Sequence, residues 1–141
     1  MDRFQEFFWN NQLLFMAFIA VAGALIWTLF QGRAKGVRNI DPLGATRLIN
    51  QEDALILDVR PEAEFRQGHI VNAVNLPVGN LDNRIDTLNK YRKRPIVAVC
   101  RSGQSSIKAA SALVAKGFDN VYSLSGGIIA WEGASLPLTK K

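Results

Sequence analysis

No charged residue interrupts the chain between Glu6 and Arg33, and the run from Leu13 to Phe30, LLFMAFIAVAGALIWTLF, is almost wholly apolar. Twenty-two residues from Trp9 to Phe30 give about 33 Å of helix at roughly 1.5 Å each, enough for a hydrocarbon core of about 30 Å. Trp9 and Trp27 stand near the two ends, where amphipathic rings prefer the interface. The pattern predicts a transmembrane helix over 9–31, preceded by a short tail over 1–8 and followed by a Gly/Arg/Lys linker over 32–37. A cleaved signal peptide would need a basic start, a shorter apolar core and a small-residue site after it, and Ala22-Gly23-Ala24 lies mid-run instead. A buried core helix is the other alternative, but a segment apolar on every face is hard to cover in so small a protein. Ala20 and Ala24 form a small-xxx-small pair, which leaves a weak dimer or a membrane-protein partner open.

Beyond the linker the apolar runs shorten. Ala54 to Val59, Ala73 to Leu76, Pro95 to Val99 and Val121 to Leu124 are each bounded by polar or turn residues, as strands buried on both faces are. Asp41-Pro42 is a helix start, running to about Asn50. Ile107, Ala110, Leu113 and Val114 recur at helical spacing between Ser105 and Lys116, with Gly117 as the stop. Alternation of strands and helices implies an α/β layer with a mostly parallel sheet. No internal repeat appears.

Charge adds an orientation. Arg33, Lys35 and Arg38 follow the apolar run, whereas Arg3 in the tail is balanced by Asp2 and Glu6, so the C-terminal part is expected on the cytoplasmic side of the inner membrane in a single-pass arrangement. The net charge of +5 suits an anionic membrane surface. The cluster Lys90, Arg92, Lys93 and Arg94 reads as the solvated end of a helix. It holds a single aromatic residue, Tyr91, so nucleic acid is not indicated as a partner. With one cysteine no intrachain disulfide forms, and no CxxC pair or Cys/His cluster offers a metal site; no cofactor is expected.

That cysteine is placed for chemistry. Cys100 follows the strand ending at Val99, and Arg101, Ser102, Gly103 and Gln104 lead into the helix starting near Ser105. Such a loop aims backbone N–H groups and the positive end of a helix dipole at one point, which lowers a thiol's pKa from about 8.5. Arg101 adds a cation, and Gly103 lets the backbone turn tightly. A lone cysteine is otherwise most often a small buried hydrophobe.

The segment Cys100 to Ser106 resembles the active-site loop of the rhodanese family, Cys-x-x-Gly-x-[Arg/Ser/Thr]-[Ser/Ala]. Other blocks fit in order: Leu57-Asp58-Val59-Arg60 with Glu64-Phe65, Gly68-His69-Ile70, then Ala73, Asn75, Leu76 and Pro77, and finally Gly126-Gly127-Ile128-Ile129-Ala130-Trp131 before Leu136-Pro137. The resemblance covers 38–138, with 139–141 as a tail, and implies a five-stranded, mostly parallel sheet flanked by helices. It also implies a sulfurtransferase that carries sulfane sulfur as a persulfide on Cys100, taken from a small donor such as thiosulfate and passed to a thiol or protein acceptor. On that basis Arg101, Ser102, Gly103, Gln104, Ser105 and Ser106 form the substrate-binding loop. Asn72, Ser135 and Ser105 depart from the usual Gly, Gly and Arg. Cysteine-dependent phosphatases use Cys-x5-Arg, often after His, and here Ser106 and Val99 hold those positions, which argues against phosphate. Asp58 is read as a carboxylate that orders the site or as a structural ion pair, Arg60 and Glu64 as partners of each other, His69 as a hydrogen-bonded structural residue, and Trp131 as packing near the loop. The alternative function is a catalytically weak binding module tethering a partner at the membrane.

Overall fold

The computed structural model describes residues 1–31 and 36–141. Two compact units divide the chain, Met1–Ala34 and Lys35–Lys141. Residues 32–35 of the expected linker lie outside the described residues, and Val37 at its end already belongs to a strand.

In the N-terminal unit, the segment expected as a tail is helical. Phe4, Phe7 and Phe8 recur at helical spacing and form one side of α1 (Asp2–Asn10). The break comes at Asn11, whose side-chain amide donates to the Phe7 carbonyl at 2.9 Å. Helix α2 (Gln12–Gln31) follows. Its stretch Gln12–Leu29 has a mean hydropathy of 2.1 and is nowhere buried by protein, so by length and composition it can cross a membrane.

The second unit alternates strands and helices. Strand β1 (Val37–Ile40) leads to α3 (Pro42–Glu52), capped as expected by Asp41, whose carboxylate accepts the Gly44 N–H at 2.8 Å. Then come β2 (Leu55–Asp58), α4 (Glu62–Gln67) and a two-residue β3 (Val74–Asn75). Residues 78–91 form tight helical turns, with α5 (Leu81–Arg84) between 3₁₀ segments. Strand β4 (Ile96–Val99), α6 (Gln104–Ala115), β5 (Val121–Leu124) and α7 (Gly127–Gly133) complete the order.

The five strands pair in the order β1-β5-β4-β2-β3, every pair parallel. Both faces are covered, which is why β2 and β4 read as unbroken apolar runs rather than alternating ones. Leu55, Leu57, Ile96, Ala98 and Val121 pack under Leu81, Ile85 and Leu88 and under Ala109, Ala110 and Leu113 of α6. Ile56, Val97, Val99 and Leu124 point the other way, against Ala45 of α3 and Ile128 and Trp131 of α7. The basic cluster is not merely solvated: Arg92 donates to the Lys116 carbonyl at the end of α6 and lies 4.5 Å over the Phe118 ring, and Arg94 donates to the Asp53 carbonyl after α3. Free carbonyls at helix ends attract these guanidinium groups.

Candidate functional site

Cys100 follows directly on β4, one strand inward from each edge pair, with its side chain 5% exposed. Residues Arg101 to Gly103 form the turn into α6. Gly103 has φ +101, a left-handed conformation that brings its own N–H back to within 2.9 Å of Cys100 Sγ. A side chain there would also stand 3.2 Å from the Gly126 nitrogen. Helix α6 therefore begins one residue earlier than its apolar spacing suggested.

A second helix holds the loop from behind. The Ile128 N–H donates to the Cys100 carbonyl at 2.9 Å and the Ile129 N–H to the Arg101 carbonyl at 3.2 Å. Gly127, at φ +57, sits so close that a Cβ on it would overlap the Cys100 carbonyl oxygen and stand 2.6 Å from the Arg101 carbonyl carbon. The Cys100 and Arg101 carbonyls thus turn toward α7, and the amides of the turn are left for the sulfur. Burial pushes the Cys100 thiol up, but the Ser106 hydroxyl and the N–H groups of Ser106, Gly103 and Ser102 together pull it below its ordinary value. This is the physical content of an activated thiol.

Ser106 is fully buried, with its Oγ 3.5 Å from Sγ, 3.1 Å from the Gly103 carbonyl and 2.8 Å from Ser123 Oγ. A cavity of about 370 Å³ opens over the sulfur, with Cys100, Arg101 and Ser105 on one side, Arg60 and Glu64 on another, and Pro61, Pro77 and Val78 as apolar wall. A neighbouring hollow of similar size shares Arg60, Glu64 and Arg101. Of the loop residues named from sequence, Cys100, Gly103 and Ser106 surround the sulfur, Arg101 and Ser105 line the cavity, Ser102 contributes its amide, and Gln104 opens α6 without lining the cavity.

Arg60 does not pair with Glu64. Its Nη2 lies 2.7 Å from Asp58 Oδ2 and its Nε 3.0 Å from Oδ1, while the same Nη2 donates to the Gly68 carbonyl at 2.7 Å. Asp58, 1% exposed, needs a counter-charge, whereas Glu64 is only half-buried and faces the cavity. Asn75 joins the pair by donating to the Asp58 and Arg60 carbonyls. His69 is structural, as its context suggested: its ring stacks on Phe65, and its nitrogens lie 2.8 Å from the Phe65 carbonyl oxygen and 2.7 Å from the Lys141 oxygen. Its backbone also exchanges two hydrogen bonds with Thr139, so residues 139–141 are tied down rather than forming a loose tail. Trp131 packs with Val99 and Ile128 beneath the loop and donates to the Pro137 carbonyl.

Sequence reasoning missed Ser123. The available signal was a hydroxyl within the otherwise apolar strand Val121–Leu124.

The family model of the Rhodanese-like domain matches residues 42–134. The chain belongs to the rhodanese-like family. It is 35% identical over 141 residues to "Uncharacterized protein YibN" of Escherichia coli K12, covering 99% of each protein. To a "Sulfurtransferase" of Allochromatium vinosum it is 40% identical over 92 residues, 65% of this chain and 84% of that one. Among solved structures, a rhodanese-related protein of Thermoplasma volcanium superposes with a TM-score of 0.67 at 26% identity, covering 74% of this chain and 99% of that one. The rhodanese-like fold is thus shared, the family model running from α3 through α7, and the family's sulfurtransferase-type activity is the frame for reading the Cys100 loop.

Proposed function

We propose that this rhodanese-like protein is a membrane-anchored sulfurtransferase that carries sulfane sulfur on Cys100. The observation that carries the reading is the Gly103 N–H directed at Sγ at 2.9 Å, within a loop whose Cys100 and Arg101 carbonyls are turned away toward α7. The thiolate attacks the outer sulfur of a donor such as thiosulfate, the S–S bond breaks, and sulfite leaves with the bonding pair. Cys100 then holds a persulfide, whose charge the loop amides stabilise. An acceptor thiolate attacks the outer sulfur and Cys100 departs as thiolate. Arg101, exposed at the junction of the two hollows, is suited to the sulfonate oxygens of the donor. The Arg position of phosphatase loops is filled by the buried Ser106, which supplies no cation for a phosphate.

The test is intact mass after incubation with thiosulfate. The wild type gains one sulfur and Cys100→Ser gains none; a wild type that takes sulfur from neither thiosulfate nor a polysulfide overturns the reading. The anchor is a separate part of the proposal, supported by the apolar span Gln12–Leu29 and the basic residues after it. The full chain is expected to resist alkaline carbonate extraction and a chain lacking residues 1–34 to be released; a C-terminal reporter active only outside the cytoplasm overturns the orientation.

A further inference from the structure

Ser123 is 1% exposed in the middle of β5, between Tyr122 and Leu124, where an apolar residue would satisfy the strand. A buried hydroxyl is costly unless it is hydrogen-bonded. Its hydroxyl has one partner among the described residues, Ser106 Oγ at 2.8 Å, and every buried side-chain polar atom described is satisfied. Either hydroxyl could donate in this pair, but the Gly103 carbonyl can only accept and takes the Ser106 proton, so the Ser123 proton goes to Ser106. Ser106, in turn, has one proton and two other contacts, the Gly103 carbonyl at 3.1 Å and Cys100 Sγ at 3.5 Å.

We propose that Ser123 is a positioning residue for Cys100: by donating to Ser106 it leaves the Ser106 proton free to move between the Gly103 carbonyl and the sulfur as the sulfur gains charge. With Cys100 as a thiol, S–H donates to Ser106 Oγ and Ser106 donates to Gly103. With Cys100 as a thiolate, Ser106 turns its proton to Sγ while Ser123 continues to donate. No heavy atom moves, and each hydroxyl polarises the next. The charged groups around the cavity over the sulfur are Arg60, Glu64 and Arg101, with Asp58 bound to Arg60; α6 and β5 present the hydroxyls. The role deepens the sulfurtransferase reading and rests on it, since the same hydroxyl would serve the thiolate released at each turnover.

The experiment measures iodoacetamide alkylation of Cys100, the chain's one cysteine, against pH in the detergent-solubilised full chain. Ser106→Ala is expected to slow alkylation about tenfold at about pH 6, the effect of one hydrogen bond to a charged atom, with the alkaline plateau unchanged. Ser123→Ala slows it about threefold, and the double variant no more than Ser106→Ala alone, because Ser123 acts through Ser106. Ser123→Thr and Ser123→Val, alike in volume, separate hydroxyl from packing: Thr follows the wild-type profile and Val the Ala profile. A Ser123→Ala or Ser123→Val profile superimposed on wild type, even with a lowered melting temperature, overturns the proposal, as does full additivity in the double variant. Alkylation needs no sulfur donor, so a wild type that fails to load sulfur defeats the sulfurtransferase reading while leaving this result to stand by itself.

Discussion

Asp58 and Arg60, two residues apart at the end of β2, close a two-pronged ion pair at 2.7 and 3.0 Å inside the protein, and the guanidinium continues to the Gly68 carbonyl. The pair fixes the floor of the cavity wall that Arg60 and Glu64 provide opposite Cys100. Removing one partner strands the other charge away from water. Asp58→Ala and Arg60→Ala are each expected to lose about 3 to 5 kcal/mol of stability, read by denaturant unfolding. A loss under about 1 kcal/mol, the surface-pair range, would show that water reaches the survivor.

Gly127 tests how closely α7 must approach the loop. In Gly127→Ala the new methyl meets the Cys100 and Arg101 backbone at a left-handed φ, so strain and collision act together. We expect a destabilisation of about 2 kcal/mol or more and loss of sulfur loading. A variant that melts and loads as wild type would mean that α7 can withdraw freely.

Two departures from the family's glycines become a stability prediction. Asn72 and Ser135 are exposed and both left-handed, at φ 62 and φ 60. Ser135→Gly relieves a Cβ clash and is expected to stabilise by about 0.5 to 1 kcal/mol after the entropy of glycine is subtracted. Asn tolerates this conformation better, so Asn72→Gly gains less. Melting curves of the two variants decide the order.

The depressed Cys100 thiol has a signed consequence for stability. Burial raises the value, but the Ser106 hydroxyl and the loop amides outweigh it, so the folded protein favours thiolate more than the unfolded chain does. That contribution is present in full above the unfolded thiol's value and is lost as pH falls through the lowered folded value. The stability of wild type relative to Cys100→Ser is therefore expected to rise with pH up to the unfolded thiol's value of about 8.5, measured as the difference in unfolding midpoints. A difference that falls over this range reverses the sign of the shift.

The parallel sheet was legible because β2, β4 and β5 are short apolar runs, and α3 and α6 because Asp41-Pro42 and Gly117 punctuate them. The Cys100 loop was legible through the spacing of Gly103 and Ser106. Arg60's partner was not, since Asp58 on the strand and Glu64 in the following helix both lie within four residues of it and only burial chooses between them. Residues 78–91 were illegible for another reason: Leu81, Ile85 and Leu88 point to the core, but the chain turns in 3₁₀ segments around them, a choice made by packing rather than by periodicity. Ser123 went unread because a hydroxyl in a strand acquires meaning only when β5 is laid beside α6.

The solitary cysteine has a kinetic corollary. Two-cysteine carriers discharge by closing an internal disulfide, a first-order event independent of any other molecule. For the persulfide proposed on Cys100 the chain offers no second thiol, so its discharge would be second order and the dwell time of the cargo would scale inversely with acceptor concentration. On that proposal, scarce acceptor would let the loaded form accumulate, and the occupancy of Cys100 would be a running measure of supply against demand.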